Sequence, residues 1–166
     1  FNYDRMFYRT EKLPTIYPEL DGNWQITCLA QNPDNHDWWV GTRDGKLYVF
    51  DPGTEQSKKI DIITLKNGNA DVKFITDLEF IDHELIICEP YQPTYQYNPI
   101  TQNFRKFTAL KGDFVNFKIR VIVQETDSTY IFANNEYQLV RWNKNSGKIH
   151  KIAFKNKVSP DGTPYQ

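Results

Sequence analysis

The chain has little of what announces a membrane helix, a metal centre or a strongly charged partner surface. No apolar run approaches the roughly 20 residues that a membrane span requires. Its 20 basic and 21 acidic residues leave a net charge of −1, which supplies no electrostatic footprint for nucleic acid or an anionic membrane. Methionine occurs once and alanine is scarce, so two strong helix formers are nearly missing. The 2 cysteines, Cys28 and Cys88, lie far apart in apolar segments and read as buried free thiols, with a disulfide as the alternative. His36, His83 and His150 show no metal-ligand spacing with one another or with the cysteines. Ser-His-Asp arrangements, Gly-rich phosphate loops and His-Glu-x-x-His motifs are absent, and so is Asn-x-Ser/Thr. No catalytic residue, metal or cofactor is expected, and the chain reads as non-enzymatic. It opens at Phe1 without an initiator Met and shows no signal-peptide pattern, which predicts a mature, processed or excised piece.

Aromatic residues are plentiful instead, with 10 Tyr, 11 Phe and 4 Trp, a balance that favours strands. Trp38 to Ile60 reads as three short strands joined at Arg43-Asp44-Gly45 and at Asp51-Pro52-Gly53-Thr54. Aligned on Asp51, the chain repeats itself. Asn98 and Asn143 take the same turn-head role, each after an aromatic residue: Phe50, Tyr97, Trp142. A small residue precedes each turn at Gly41, Cys88 and Ala133, and an apolar one follows at Ile60, Phe107 and Ile152. Upstream, Ile26, Ile75 and Ile119 mark further strands, Ile26–Ala30, Phe74–Phe80 and Phe117–Gln124, that continue with Leu29, Leu78 and Ile122. Tyr3-Asp4 and Leu13 join the pattern at the N-terminus.

Four antiparallel strands recurring every 40 to 50 residues or so mark a β-propeller blade. The expected fold is all-β, a propeller segment of about three four-stranded blades plus part of a preceding one. Residues 1–25 end that preceding blade and its connection; 26–73, 74–117 and 118–154 are blades; 155–166 start the next connection. The small residue at Gly41, Cys88 and Ala133 is expected to make room for a bulky side chain from the neighbouring blade. Ring closure needs about four blades, so the chain is expected to be a fragment that the remaining blades of a parent propeller complete.

Function in a propeller usually sits where the corners between second and third strands meet the interblade segments, here Asp61–Lys73 and Ala109–Asn116. The repeat places Arg43-Asp44, Glu89 to Gln92, and Asn134-Asn135-Glu136 at equivalent corners. The ligand-binding candidates are therefore Arg43, Asp44, Glu89, Tyr91, Gln92, Asn134, Asn135 and Glu136. Tyrosine beside carboxylates and amides suits a sugar, whose apolar face the ring covers while polar groups bond its hydroxyls. Turn formation alone is the competing account of these residues. Tyr97 reads as packing, since Phe50 and Trp142 share its position. One of Trp38 and Trp39 is expected between blades, because neighbours on a strand point to opposite faces. Asp71, Asp77 and Glu79 are dispersed carboxylates, and Asp77 alone stands near a blade's start.

Trp38 to Pro52, WWVGTRDGKLYVFDP, resembles the W-[IV]-G-T-x-x-G-L-x-x-[FY]-[DN] repeat of two-component regulator propellers. Ile26-Thr27-Cys28-Leu29 resembles that family's I-x-x-[IL] strand, and Asp51-Pro52-Gly53-Thr54 its closing turn. The other two units depart from it at Ile86-Ile87-Cys88-Glu89 and Ile131-Phe132-Ala133-Asn134. The resemblance implies the periplasmic sensor region of a Bacteroides-type hybrid two-component system, anchored by its parent in the inner membrane. It further implies an oligosaccharide or other small ligand, a homodimeric parent, and a histidine kinase outside this chain. A non-signalling protein-interaction scaffold is the alternative, although the Gly-His and Trp-Asp pairs of WD repeats do not occur. Part of a glycan-active propeller enzyme is the third reading.

Overall fold

The structure, a computed structural model, describes residues 25–60 and 74–153. Within them the chain forms three four-stranded antiparallel sheets, each a simple meander. The first holds β1 (Ile26–Gln31), β2 (Trp38–Thr42), β3 (Leu47–Asp51) and β4 (Gln56–Ile60). The second holds β5 (Asp77–Ile81), β6 (Glu84–Cys88), β7 (Tyr95–Asn98) and β8 (Asn103–Lys106). The third holds β9 (Val121–Thr126), β10 (Thr129–Ala133), β11 (Leu139–Asn143) and β12 (Ile149–Ile152). The first strands β1, β5 and β9 lie side by side, so the sheets are stacked blades. The expected strand at 1–13, the connection 61–73 and the segment 155–166 lie outside the described residues.

The turn heads explain the repeat. Asp51 Oδ1 accepts the Gly53 N–H at 2.7 Å, Asn98 Oδ1 accepts those of Ile100 and Thr101 at 3.0 and 2.9 Å, and Asn143 Oδ1 accepts that of Ser146 at 2.9 Å. A short acceptor side chain that closes its own turn is why Asp or Asn recurs there. Each of these turns ends in a left-handed residue at one repeat position: Glu55, Gln102 and Gly147, with φ of 56°, 55° and 66°. Asp82-His83 makes a tight two-residue hairpin with both φ positive, the geometry that matches strand twist.

Blades bury their faces against one another. Trp39, Leu47, Leu78, Leu85 and Ile87 form the core between the first and second blades, with Tyr97 and the fully buried Ile75. Ile86, Ile119, Phe132, Val140 and Trp142 belong to the core between the second and third. Of the paired tryptophans, Trp39 enters the seam, its ring 5.7 Å from Tyr97 and 6.2 Å from Phe80, whereas Trp38 packs beside Val40, Tyr48 and Phe50 on the other face.

Gly41 shows what the small residue is for. A Cβ there would lie 2.6 Å from Cys28 Sγ and 2.7 Å from Ile75 Cγ2, so the next blade's isoleucine occupies the space glycine leaves. Ile119, at the corresponding repeat position, and Cys88 both belong to the second seam's core. This also corrects two strand starts. Extended structure was expected from Phe74 and Phe117, but β5 begins at Asp77 and β9 at Val121. The Ile75 N–H donates across the seam to Thr42 O at 3.2 Å, and the Phe117 N–H donates to Phe114 O at 3.0 Å inside the connection. Those amides are engaged elsewhere, so the sheets start later. Both cysteines are free thiols; burial pushes Cys28 up to about 12 and Cys88 well above its ordinary range.

Candidate binding face

Antiparallel order brings the β2–β3, β6–β7 and β10–β11 corners and the β8–β9 connection to one end of the blades. The opposite end carries seam contacts: His83 Nδ1 to Asp34 Oδ1 at 2.7 Å, and an ion pair between Lys144 and Asp82.

At the first corner, Thr42 is fully buried and its Oγ1 accepts the Lys46 N–H at 2.9 Å while donating to Asp44 Oδ1 at 2.6 Å. Asp44 Oδ2 meets Lys46 Nζ at 2.8 Å. Partial burial pushes the Asp44 carboxyl up, but Lys46 and Thr42 outweigh it and hold the group below its ordinary range. Arg43 Nη1 donates to Gln25 Oε1 at 2.9 Å. Arg43 and Asp44 thus bond within their own blade.

The second and third corners are brought together. Asn135 Nδ2 donates to Pro90 O at 2.8 Å, and Asn135 Oδ1 accepts Arg120 Nη1 at 3.1 Å. Asn134 closes its own turn by accepting the Glu136 and Gln138 N–H groups at 2.9 and 3.0 Å. Glu89 is buried at 1% exposure, in the repeat position of Thr42 and Asn134, and its charge helps raise the neighbouring Tyr95 hydroxyl, after burial. Gln92 and Glu136 are exposed, and Tyr91 is 75% exposed. Tyr95 stacks on Phe104 with centroids 5.0 Å apart, and Tyr97 packs in the seam.

Sequence reasoning passed over Tyr137. It is 92% exposed with φ of 59°, in the repeat position of Gly45, whose φ is 76°. A bulky side chain in that region is strained, and such strain clusters at functional sites. The available signal was the replacement of a turn glycine by tyrosine within the repeat.

A cleft of about 650 Å³ was also missed. It lies between Pro93-Thr94, at the end of the second corner, and the stretch from Lys106 to Ile119. Phe107 N–H donates to Thr94 O at 2.9 Å, which fixes one wall. A single 3-10 turn at Gly112–Phe114 shapes the other. Asp77 accounts for itself: Oδ1 accepts the Leu78 N–H at 3.0 Å and Oδ2 accepts the Ile122 N–H of the next blade at 2.6 Å. That carboxylate bridges two blades. Among the described residues no cluster of three or more His, Cys, Asp or Glu could hold a metal.

No family model matches the sequence, and no curated protein matches it. Solved structures do. The chain is similar to the extracellular domain assigned to hybrid two-component system BT3049 of B. thetaiotaomicron, with a TM-score of 0.57 and 12% identity over 81% of this chain and 20% of that one. It is similar to the extracellular domain assigned to hybrid two-component system BT4673 of the same organism, with a TM-score of 0.56 and 18% identity over 83% of this chain and 19% of that one. The WD40 repeats of RRP9 match with a TM-score of 0.60 and 9% identity, over 82% of this chain and 41% of that one. The chain therefore has the β-propeller fold that these extracellular domains share with WD40 repeats. It spans about a fifth of the length of the two bacterial domains it matches.

Proposed function

We propose that the chain is a ligand-binding segment of the sensor propeller of a bacterial hybrid two-component system. It faces the periplasm in a parent anchored in the inner membrane, takes an oligosaccharide, and passes the signal to a histidine kinase outside this chain. One observation carries the ligand class: Tyr91 and Tyr137 are 75% and 92% exposed on corners tied together by the 2.8 Å bond from Asn135 to Pro90. Exposed rings of this kind cover the apolar face of a pyranose, while Gln92 and Glu136 beside them bond its hydroxyls. The fold shared with extracellular domains of hybrid two-component systems supports the sensing role. Val121 and Val123, 40% and 53% exposed on β9, offer an apolar seat for a further blade of the parent. In the parent, rearrangement of a homodimer carries the signal inward.

Calorimetric titration of the full chain with a panel of neutral and acidic oligosaccharides tests this reading. Saturable heat with one glycan, reduced by Tyr137→Ala, is expected. Silence across the panel, or turnover of a glycan in place of binding, would sink it.

A further inference from the structure

The cleft beside the second corner has a chemistry of its own. Lys106, Lys111 and Lys118 line it, and among the described residues no carboxylate does. All three lysines are exposed, and none makes an ion pair among the described residues. Asp113 stands in the neighbouring 3-10 turn but is not part of the lining. Three ammonium groups around one concavity repel one another and raise the potential inside it.

Thr94 supplies an independent observation. It lines the same cleft, is only 5% exposed, and its Oγ1 has no hydrogen-bond partner among the described residues. A buried hydroxyl left without a partner costs free energy, and native proteins keep few of them. Thr108 adds a second hydroxyl to the lining, and Leu110, Val115 and Phe117 add apolar wall. Cationic donors, hydroxyls and an apolar wall together match a sugar ring that carries a negative group.

We propose that this cleft receives the anionic group, a carboxylate or a sulfate ester, of an acidic saccharide. The Thr94 hydroxyl donates to one anionic oxygen, the lysines supply charge-assisted hydrogen bonds, and the ring lies against Val115 and Phe117. The saccharide rests on the sensing function proposed above; the preference for an anion rests on the cleft alone.

NMR of the 15N-labelled full chain decides it. The amides of Thr94, Thr108 and Lys118 are followed during titration with a short chondroitin sulfate, a short oligogalacturonate, cellotetraose and sodium sulfate. The acidic saccharides are expected to shift these amides and cellotetraose to leave them unmoved, while the first two arms separate sulfate ester from carboxylate. Lys111→Gln and Lys118→Gln, at exposed positions, should each weaken acidic binding about tenfold, as loss of a charge-assisted hydrogen bond does. Thr94→Val should weaken it while raising thermal stability, because it deletes an unsatisfied hydroxyl; a purely structural threonine would lower both. Equal shifts with cellotetraose, indifference to the lysine variants, or no cleft shift with either acidic probe would overturn the assignment. In those cases shifts at Tyr91 and Tyr137 alone would leave the sensing function standing. Sodium sulfate moving the cleft amides while no saccharide binds anywhere would remove the saccharide and the sensing function together.

Discussion

Replacing Gly41 by Ala should destabilise the first seam, and the cause can be isolated. The φ of Gly41 lies outside the left-handed region, so torsion does not demand glycine there. On backbone grounds alone, alanine would stabilise the strand by roughly 0.5–1 kcal/mol, because glycine loses more freedom on folding. Space opposes it: the new Cβ meets Cys28 Sγ at 2.6 Å, Ile75 Cγ2 at 2.7 Å and Ile75 Cβ at 3.2 Å. Ile75 is fully buried and hydrogen-bonded through its N–H to Thr42 O, so it has little room to retreat. Overpacking of this kind costs about 1–3 kcal/mol, so subtracting the backbone gain leaves a net loss of about 0–2.5 kcal/mol, centred near 1. Urea unfolding of the full chain measures it, with an unchanged m-value. Ile75→Ala removes the Cγ2 contact and alone should cost about 2–5 kcal/mol. Combined, the two substitutions should cost less than their sum by about 1 kcal/mol or more, the size of coupling found between touching residues. Additive costs, or a Gly41→Ala protein more stable than the parent, would refute the interlock.

Tyr137→Gly should stabilise the chain by up to about 1 kcal/mol, because glycine accepts positive φ, while weakening oligosaccharide binding; thermal melts and calorimetry on the same samples separate the two effects. Asn98→Ala removes the acceptor for two turn N–H groups and should cost about 1 kcal/mol in urea, more than a substitution at the exposed, unbonded Ile100 side chain. Burial, then the charge of Asp77, pushes Glu79 up from 4.5 to about 7. Folding thus takes up a proton at Glu79; the associated stability is fully present below about 4.5 and is lost as pH rises through about 7. Glu79→Gln should flatten the stability profile between those values, and an unchanged slope would place the titration elsewhere.

Much of the fold could be read from the chain because three blades state the same physics once each. Asx turn heads are a local requirement and the small residue at Gly41 a requirement of the seam, so both fall at fixed spacing and survive changes of residue type. The corners were harder. Their positions followed from the repeat, but Asn135 reaching Pro90 is a contact between residues 45 apart that no pattern within a blade encodes. Tyr137 could have been found by asking where the repeat loses a glycine. Lys106, Lys111 and Lys118 give no such clue, since scattered lysines are ordinary surface residues until the connection folds back over Thr94. The late starts of β5 and β9 were hidden for a related reason: an apolar residue serving the previous blade looks the same in sequence as one opening a strand.

The Gly41–Ile75 interlock bears on how such chains grow. The first blade carries a vacancy that Ile75 of the second blade fills, so a duplicated pair of blades arrives with that contact already made. Lengthening or shortening the array by gene duplication then needs no new contact to evolve at the junction. Only the exposed corners are left free to diverge, which is where Tyr91 and Tyr137 stand in the repeat positions of Asp44 and Gly45 of the first blade.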